Sequence, residues 1–167
     1  MISIPKGEEI AAKTFNPRLG IQGGISVLGT SGIVVPMSEA ALIASIRVEM
    51  EMKRAEGREY LLVTPGNYGE AFTREQMTVD LSSSVKCSNY VGETLDMAVE
   101  LGIKGILFVA HVGKFIKVAG GIMNTHSREA DSRAELMAAF ALRAGADADT
   151  ARQILETITT DEALEIM

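Results

Sequence analysis

The sequence predicts an α/β protein in which a mainly parallel sheet is flanked by helices and followed by a helical C-terminal segment. Short apolar runs alternate with longer amphipathic segments along the first two thirds of the chain. Continuous apolar runs are typical of strands that are buried on both faces, and alternation of strands with helices is typical of right-handed crossovers. Beyond residue 114 the patterns are helical throughout.

Four short runs are the candidate strands. They are residues 25–28, 60–63, 84–87 and 106–110, of which the third has the weakest strand character. A short helix is expected between the second and third runs. Residues 1–20 contain no clear helix or strand pattern.

Caps and stop signals mark the helices. Ser38 can cap a helix that Gly57 ends, with Leu42 among its buried residues. A second helix is predicted over residues 89–101, with Val99 on its buried side. The C-terminal helices are predicted over residues 114–123, 128–144 and 150–158 and from residue 161, with Ser127 and Thr160 as caps.

The composition is typical of one soluble globular domain. The chain has 167 residues, 47% of them hydrophobic, and a net charge of -6. Cys87 is the only cysteine, and no His/Cys pattern at metal-ligand spacing is present, so we expect no protein-bound metal. No apolar segment approaches the roughly 20 residues that span a bilayer, and the acidic balance argues against bulk nucleic-acid binding. We therefore expect a cytoplasmic protein without membrane or nucleic-acid partners.

Two glycine-rich turns that follow strand candidates are the candidate cofactor-binding residues. The turns are Gly29, Thr30, Ser31 and Gly32, and Thr64, Pro65, Gly66 and Asn67. In an open parallel sheet, ligands bind beyond the carboxyl ends of the strands, where small residues let backbone N–H groups approach. Neither turn is a Walker A loop or a Gly-x-Gly-x-x-Gly fingerprint, so a nucleotide-binding enzyme of doubly wound type is a weaker alternative. A tight connection without a ligand explains each turn, taken singly, equally well.

Residues 101–128 form an acid-free window in this acidic protein. The window contains four Lys or Arg residues and two His residues, but no Asp or Glu. We expect His111, Lys114 and Lys117 to face the same sheet edge as the glycine turns. Such a cluster suits a ligand that bears several carboxylates or phosphates. The alternative is a solvated helix start whose lysines have no particular task.

A polar run follows the glycine pair at residues 120–121. Asn124, His126 and Arg128 are candidate substrate-binding residues, because the run breaks a helix where a binding loop would be useful. A capping role explains His126 equally well. No Ser/His/Asp arrangement with a nucleophile turn is recognisable, so the sequence does not indicate catalytic residues.

Three stretches together resemble the CbiD family, the cobalt-precorrin-5B (C(1))-methyltransferases of the anaerobic corrin pathway. They are residues 14–34, with TFNPRLGI and GGISVLGTSGIV, residues 63–67, VTPGN, and residues 111–128, with HVGK and GIMNTHSR. The resemblance extends from about residue 4 to residue 163. Because family members are about twice this length, we expect residues 1–167 to be a single α/β domain, the C-terminal part of a longer two-domain protein.

The resemblance implies that S-adenosylmethionine is the methyl donor and that a cobalt tetrapyrrole is methylated at ring carbon C-1 in cobalamin biosynthesis. We assign the two glycine turns to the donor. The residues assigned to the tetrapyrrole are His111, Lys114, Lys117, Asn124, His126 and Arg128. The acetate and propionate arms of a precorrin require a local basic surface, and methyl transfer mainly requires alignment in a dry site.

The alternative is a non-catalytic substrate-docking or assembly domain of that enzyme. If the N-terminal half of the family is missing, the surface on which it docks is left exposed and apolar. Such a patch favours self-association. The sequence therefore predicts a homo-oligomer, or association with the missing N-terminal domain.

Overall fold

The structure, a computed structural model, describes residues 4–14, 16–26 and 38–167. Within these ranges the chain forms a three-stranded sheet in the order β2-β1-β3, with both strand pairs parallel. The strands are β1 (Tyr60–Thr64), β2 (Ser84–Lys86) and β3 (Gly105–Phe108). The predicted α/β class with a mainly parallel sheet is confirmed.

Eight α-helices lie in the described ranges. They are α1 (Gly7–Ala11), α2 (Glu39–Ala55), α3 (Asn67–Gln76), α4 (Val91–Glu100), α5 (Val112–Ala119), α6 (Arg133–Ala144), α7 (Ala148–Leu155) and α8 (Thr160–Ile166). Short 3-10 helices cover Asn16–Leu19 and Leu81–Ser83. The N-terminal residues thus contain helical turns that the sequence pattern did not indicate.

Three of the four candidate strands are confirmed, with ends that shift by one or two residues. The remaining candidate, residues 25–28, forms no strand at Ile25 or Ser26, and its last two residues lie outside the described residues. The first glycine turn, Gly29 to Gly32, also lies outside the described residues. The predicted cap of α2 is confirmed, because Ser38 Oγ accepts from the Ala41 N–H at 3.3 Å.

The predicted end of α5 and the predicted start of α6 were wrong. α5 ends at Ala119, before Gly120 and the left-handed Gly121 (φ +81°), a conformation that favours glycine and interrupts a helix. α6 begins at Arg133, so Ser127 is not its cap. Residues 120–132 are consequently one long loop rather than a short break between two helices.

The predicted cap of α8 was wrong by one residue. Thr159, not Thr160, is the cap, and it forms a capping box with Glu162. The Glu162 N–H donates to Thr159 Oγ1 at 3.2 Å, and the Glu162 carboxylate accepts from the Thr159 N–H at 3.1 Å. The box satisfies two backbone donors that the helix cannot satisfy itself, so the helix starts one residue earlier than predicted.

One face of the sheet forms the main core. The buried residues come from α2, α4 and the strands, and they include Ile46, Met50, Leu61, Val63, Val85, Val91, Met97 and Ala98. Two residues predicted to be buried on these helices are exposed instead: Leu42, and Val99 with 81% of its surface accessible. α4 packs through Val91, Thr94 and Ala98, a spacing that turns Val99 away from the sheet.

The opposite face of the sheet is only partly covered. α3 lies against it, since a Cβ placed on Gly69 would come within 3.1 Å of Thr64 Cβ. Elsewhere on this face, Tyr60 at the start of β1 and Leu107 of β3 are exposed, Leu107 to 45%. They line an apolar hollow with Leu62 and other residues. The prediction of burial on both faces therefore fails at β3.

A second apolar cluster joins the C-terminal helices. Its buried members are Met137, Ala138, Ala141, Ala151, Ile154 and Ala163, with Ile116 of α5 packed against them. α5 thus links this cluster to the sheet, because Phe115 and Val118 on the same helix pack against the main core. The link holds α8 close to the end of the sheet.

Candidate functional site

A cleft of about 570 Å³ lies beyond the carboxyl ends of β1 and β3. Its lining residues come from the turn after β1, the start of α5 and the starts of α6 and α8: Pro65, Gly66, Asn67, Tyr68, Gly69, Ala110, His111, Gly113, Lys114, Arg133, Thr159, Thr160 and Asp161. Because β1 and β3 are parallel neighbours, the segments that follow them meet at one edge. The volume lies within the range of roughly 300–1,000 Å³ typical of small-molecule sites.

The two glycines of the turn after β1 have different surroundings. A Cβ at Gly66 would meet no atom within 4 Å, so this backbone segment is open to a ligand. A Cβ at Gly69 would overlap the carbonyl oxygen of Val109, so this glycine permits α3 to pack on the end of β3. Gly66 therefore leaves space for a ligand, whereas Gly69 allows α3 and the end of β3 to pack closely in the cleft wall.

Asn67 connects the cleft to a charged network behind it. Lys86 Nζ donates to Asn67 Oδ1 at 2.6 Å and lies 2.6 Å from Glu70 Oε2. Arg18 lies 3.6 Å from Glu70 and 3.0 Å from the buried Glu49. The hydrogen bond from Lys86 holds the pKa of Glu70 below its ordinary value, whereas burial raises the pKa of Glu49 despite the Arg18 guanidinium.

His111 is both the cap of α5 and a lining residue of the cleft. The Gly113 N–H donates to His111 Nδ1 at 3.0 Å. Because Nδ1 accepts this bond, Nε2 carries the proton of the neutral ring and serves as a donor. The edge-to-face contact with Tyr68, with ring centroids 5.7 Å apart, restrains the ring further.

Lys114 also lines the cleft, and its side chain is exposed. Its Nζ lies 3.5 Å from Asn89 Oδ1, a weak contact that leaves the ammonium group accessible. The structure therefore brings together Pro65, Gly66 and Asn67 of the second glycine turn with His111 and Lys114, as the sequence predicts. Thr64, the first residue of that turn, is instead fully buried at the end of β1 and does not line the cleft.

Lys117 lies away from the cleft, contrary to the expectation that it faces the same edge. It is 2% exposed, and its Nζ donates to the carbonyl oxygens of Ala130 at 2.7 Å and Thr125 at 3.4 Å. The loop of residues 120–132 encloses the ammonium group. Two backbone carbonyls thus replace the water that a buried lysine loses.

The remaining predicted residues do not line the cleft. Asn124 lies in a separate hollow with Gly92 and Asp96, which shares no lining residue with the cleft. His126 Nδ1 accepts from the Arg128 N–H at 3.1 Å, within the loop. Arg128 itself pairs with Glu39 at the start of α2, at 2.7 Å.

Sequence reasoning missed the residues that α6 and α8 contribute to the cleft. Arg133 is held by a bidentate contact with Asp131, at 2.7 and 2.8 Å. The Asp161 carboxylate makes no hydrogen bond or ion pair within the described part of the chain, and it borders the cleft. The capping box at Thr159 is a signal for the start of α8, but it does not indicate which element α8 approaches.

The described residues offer neither a reactive thiol nor a cluster of metal ligands. Cys87 is buried, and this burial raises the pKa of its thiol to about 12, so the thiol is protonated at neutral pH. In residues 4–14, 16–26 and 38–167, no group of three or more His, Cys, Asp or Glu side chains is placed to hold a metal ion. No helix in those ranges is long and apolar enough to cross a membrane.

Comparison with known proteins gave matches along the whole chain. The family model described as CbiD matches residues 1–36, and the model described as CbiD, C-terminal domain, matches residues 124–167. A cobalt-precorrin-5B C(1)-methyltransferase of Ruminiclostridium cellulolyticum is 57% identical over 97% of this chain and 42% of that protein. Enzymes of the same name from Alkaliphilus metalliredigens and Thermoanaerobacter sp. are 47% and 48% identical, over 100% and 99% of this chain and 44% and 45% of their own lengths. The chain spans less than half the length of these curated relatives. No solved structure matches it significantly.

Proposed function

Because the chain belongs to the CbiD family, we propose that it is the C-terminal part of an enzyme that methylates cobalt-precorrin-5B at C-1, with S-adenosylmethionine as donor. The observation that carries this proposal is the 57% identity to a relative of that name over 97% of the chain. The reaction belongs to anaerobic cobalamin biosynthesis. The cleft beyond β1 and β3 is the proposed site.

The residues of the cleft fit S-adenosylmethionine. The open backbone at Gly66 admits a ligand closely, and Asn67 and His111 offer hydrogen-bond donors. Asp161 offers a carboxylate that can accept from ribose hydroxyls or pair with an ammonium group. When bound, the donor supplies an electrophilic methyl group on a sulfonium. The turn at Gly29 to Gly32 stays a prediction for the same ligand.

The acceptor is proposed to approach over the basic rim of the cleft. Lys114 and His111 face that opening, and both suit the carboxylate arms of a tetrapyrrole. His126 and Arg128 lie in the loop of residues 120–132, where Arg128 pairs with Glu39, and they stay predictions for the same ligand. Lys117 is left out, because its ammonium group is committed to two backbone carbonyls. The chain's role is to align donor and acceptor and to exclude water.

Calorimetry with S-adenosylhomocysteine tests the proposal on this chain. A Cβ at position 66 meets no atom within 4 Å, so a valine there should not prevent folding, but its side chain should fill the cleft. Gly66→Val should therefore abolish binding of S-adenosylhomocysteine and leave the circular dichroism spectrum unchanged. Lys114→Ala should weaken tetrapyrrole binding by more than it weakens binding of the donor. Lys104→Ala is the matched control, because Lys104 pairs with Glu59 and does not line the cleft. Normal binding of the donor by Gly66→Val would remove the cleft from the proposal.

A second candidate is a non-catalytic docking or assembly domain. The observation that favours it is the apolar hollow at Tyr60 and Leu107, in a chain that spans less than half of its relatives. A homo-oligomer, or the N-terminal part of the longer enzyme, would cover this hollow.

Sedimentation of the chain tests this candidate. Wild type should self-associate, and Leu107→Glu should be monomeric. Leu142→Glu, at an equally exposed leucine of α6, is the control and should behave as wild type. A monomeric wild type at high concentration contradicts self-association, and binding of S-adenosylhomocysteine by the chain contradicts a purely non-catalytic role.

A further inference from the structure

We propose that Asn67 donates a hydrogen bond to a carboxylate of the bound ligand, and that Lys86 is the positioning residue that orients the Asn67 amide for this contact. The inference rests on the proposed function of the cleft and names the chemical group that this part of it accepts. It is carried by the contacts between the turn after β1, the end of β2 and α3.

The orientation of the Asn67 amide follows from the chemistry of its neighbour. Lys86 Nζ lies 2.6 Å from Asn67 Oδ1, and an ammonium group can only donate. The oxygen of the amide must therefore face Lys86, which settles the assignment of oxygen and nitrogen. Nδ2 has no hydrogen-bond partner within the described part of the chain, and Asn67 lines the cleft. The amide thus presents its N–H donors to a ligand.

Lys86 is itself held in place. It is the last residue of β2, and its Nζ lies 2.6 Å from Glu70 Oε2. Arg74 contacts the same carboxylate of Glu70 at 3.2 Å, and Lys86 and Glu70 are both largely shielded from solvent. The ammonium group cannot swing into the cleft without breaking this pair. Lys86 therefore acts through Asn67, and its charge on Oδ1 strengthens the amide as a donor.

The surroundings of Asn67 indicate which group the amide receives. His111 presents Nε2–H and Lys114 an ammonium group to the same cleft. These three donors, one of them cationic, outnumber Asp161, the one acidic residue that lines the cleft, and favour an acceptor that carries negative charge. A carboxylate meets this requirement, and it can come from the amino-acid part of S-adenosylmethionine or from an acid arm of the tetrapyrrole.

Asn67→Asp tests the contact with the ligand. The aspartate keeps an oxygen for Lys86 but replaces the donor with a second oxygen, which repels a carboxylate. If the carboxylate belongs to the methyl donor, affinity for S-adenosylhomocysteine should fall roughly tenfold or more. Affinity for methylthioadenosine, which lacks the amino-acid part, should not change.

If the carboxylate belongs to the acceptor, the effect of Asn67→Asp should appear with a cobalt corrinoid that bears free carboxylates and vanish with its ester. Gln153→Glu, at an exposed position of α7, adds the same charge away from the cleft and is the control. Equal affinity of wild type and Asn67→Asp for both ligands overturns the inference while the proposed function stands. Failure of wild type to bind either ligand overturns the proposed function and, with it, the inference.

Lys86 is tested with a readout that needs no ligand. The side-chain amide signals of Asn67 in nitrogen-edited NMR spectra should shift and average in Lys86→Met, because the amide loses its anchor. Lys86→Arg, which keeps a cationic donor, should restore them in large part. Ligand affinity should fall severalfold in Lys86→Met and recover in Lys86→Arg. Unchanged amide signals and affinity in Lys86→Met would remove the positioning role.

Discussion

The wall of the cleft and the layer directly behind it are built from the same residue types at the same spacing. Gly66 and Gly69 are three residues apart after β1, and Lys114 and Lys117 are three residues apart on α5. The first member of each pair faces open space in the cleft. Lys117 is enclosed, and Gly69, although it borders the cleft, is packed against the end of β3.

This comparison shows that residue type and local spacing do not separate a binding role from a structural one. Residues three apart on a helix are neighbours on its surface, so the local pattern suggests a common role for both. Contacts with distant segments give the two members of each pair different roles. The Val109 carbonyl oxygen leaves no room for a side chain at Gly69, and the Ala130 carbonyl oxygen accepts from the Lys117 ammonium group.

The largest expected effect is that of Gly69→Ala. The new methyl group would overlap the Val109 carbonyl oxygen and crowd Thr64, so the free energy of unfolding should fall by about 3 kcal/mol. Gly66→Ala has open space and should change it by less than about 0.5 kcal/mol. Urea denaturation of the two variants measures the difference. Equal midpoints would mean that the packing of α3 on β3 is not as described.

The next effect concerns the two lysines of α5. Lys117→Met leaves the carbonyls of Ala130 and Thr125 without their donor, which should cost about 1–3 kcal/mol of stability. Amide exchange in residues 120–132 should also become faster. Lys114→Met should leave stability and exchange unchanged and should weaken only ligand binding. If both variants were equally stable, Lys117 would have no role in holding the loop.

A smaller effect is the pH dependence that Glu49 contributes. Burial raises the pKa of Glu49 above its ordinary value of 4.5, so the folded state binds the proton more tightly than the unfolded state. The resulting stability is present below pH 4.5 and is lost as the pH rises through the raised pKa. In Glu49→Gln the free energy of unfolding should not show this decline with rising pH. Urea midpoints of both proteins between pH 4 and about 7 provide the measurement, and parallel curves would show that Glu49 titrates normally.

The smallest effect is expected at Cys87, which is buried in the main core. Its thiol, with a pKa of about 12, should not react with iodoacetamide at neutral pH in the folded protein. In urea the same thiol should react fully, which is the control for the reagent. Rapid alkylation of the native protein would indicate that the core under α2 and α4 opens readily.

The positions of the cleft residues could be predicted from the sequence where local signals suffice. The turn at Gly66 and Asn67 and the start of α5 at His111 follow parallel strands, and parallel neighbours end at one edge. The positions of Lys117 and α6 could not be predicted, because Gly121 opens a loop whose path depends on the rest of the fold. Nothing local distinguishes a lysine that faces solvent from one that a loop encloses.

The sequence by itself determined the parallel α/β class, the main strands and the glycine turn beside His111 and Lys114. Apolar runs, caps and glycines act over a few residues, so these features can be inferred from neighbours in the chain. Only the tertiary structure decided that Arg133 and Asp161 complete the cleft and that Lys86 holds Asn67. Those contacts join segments that are distant in sequence, and helix packing around α5 and strand order in the sheet bring them together.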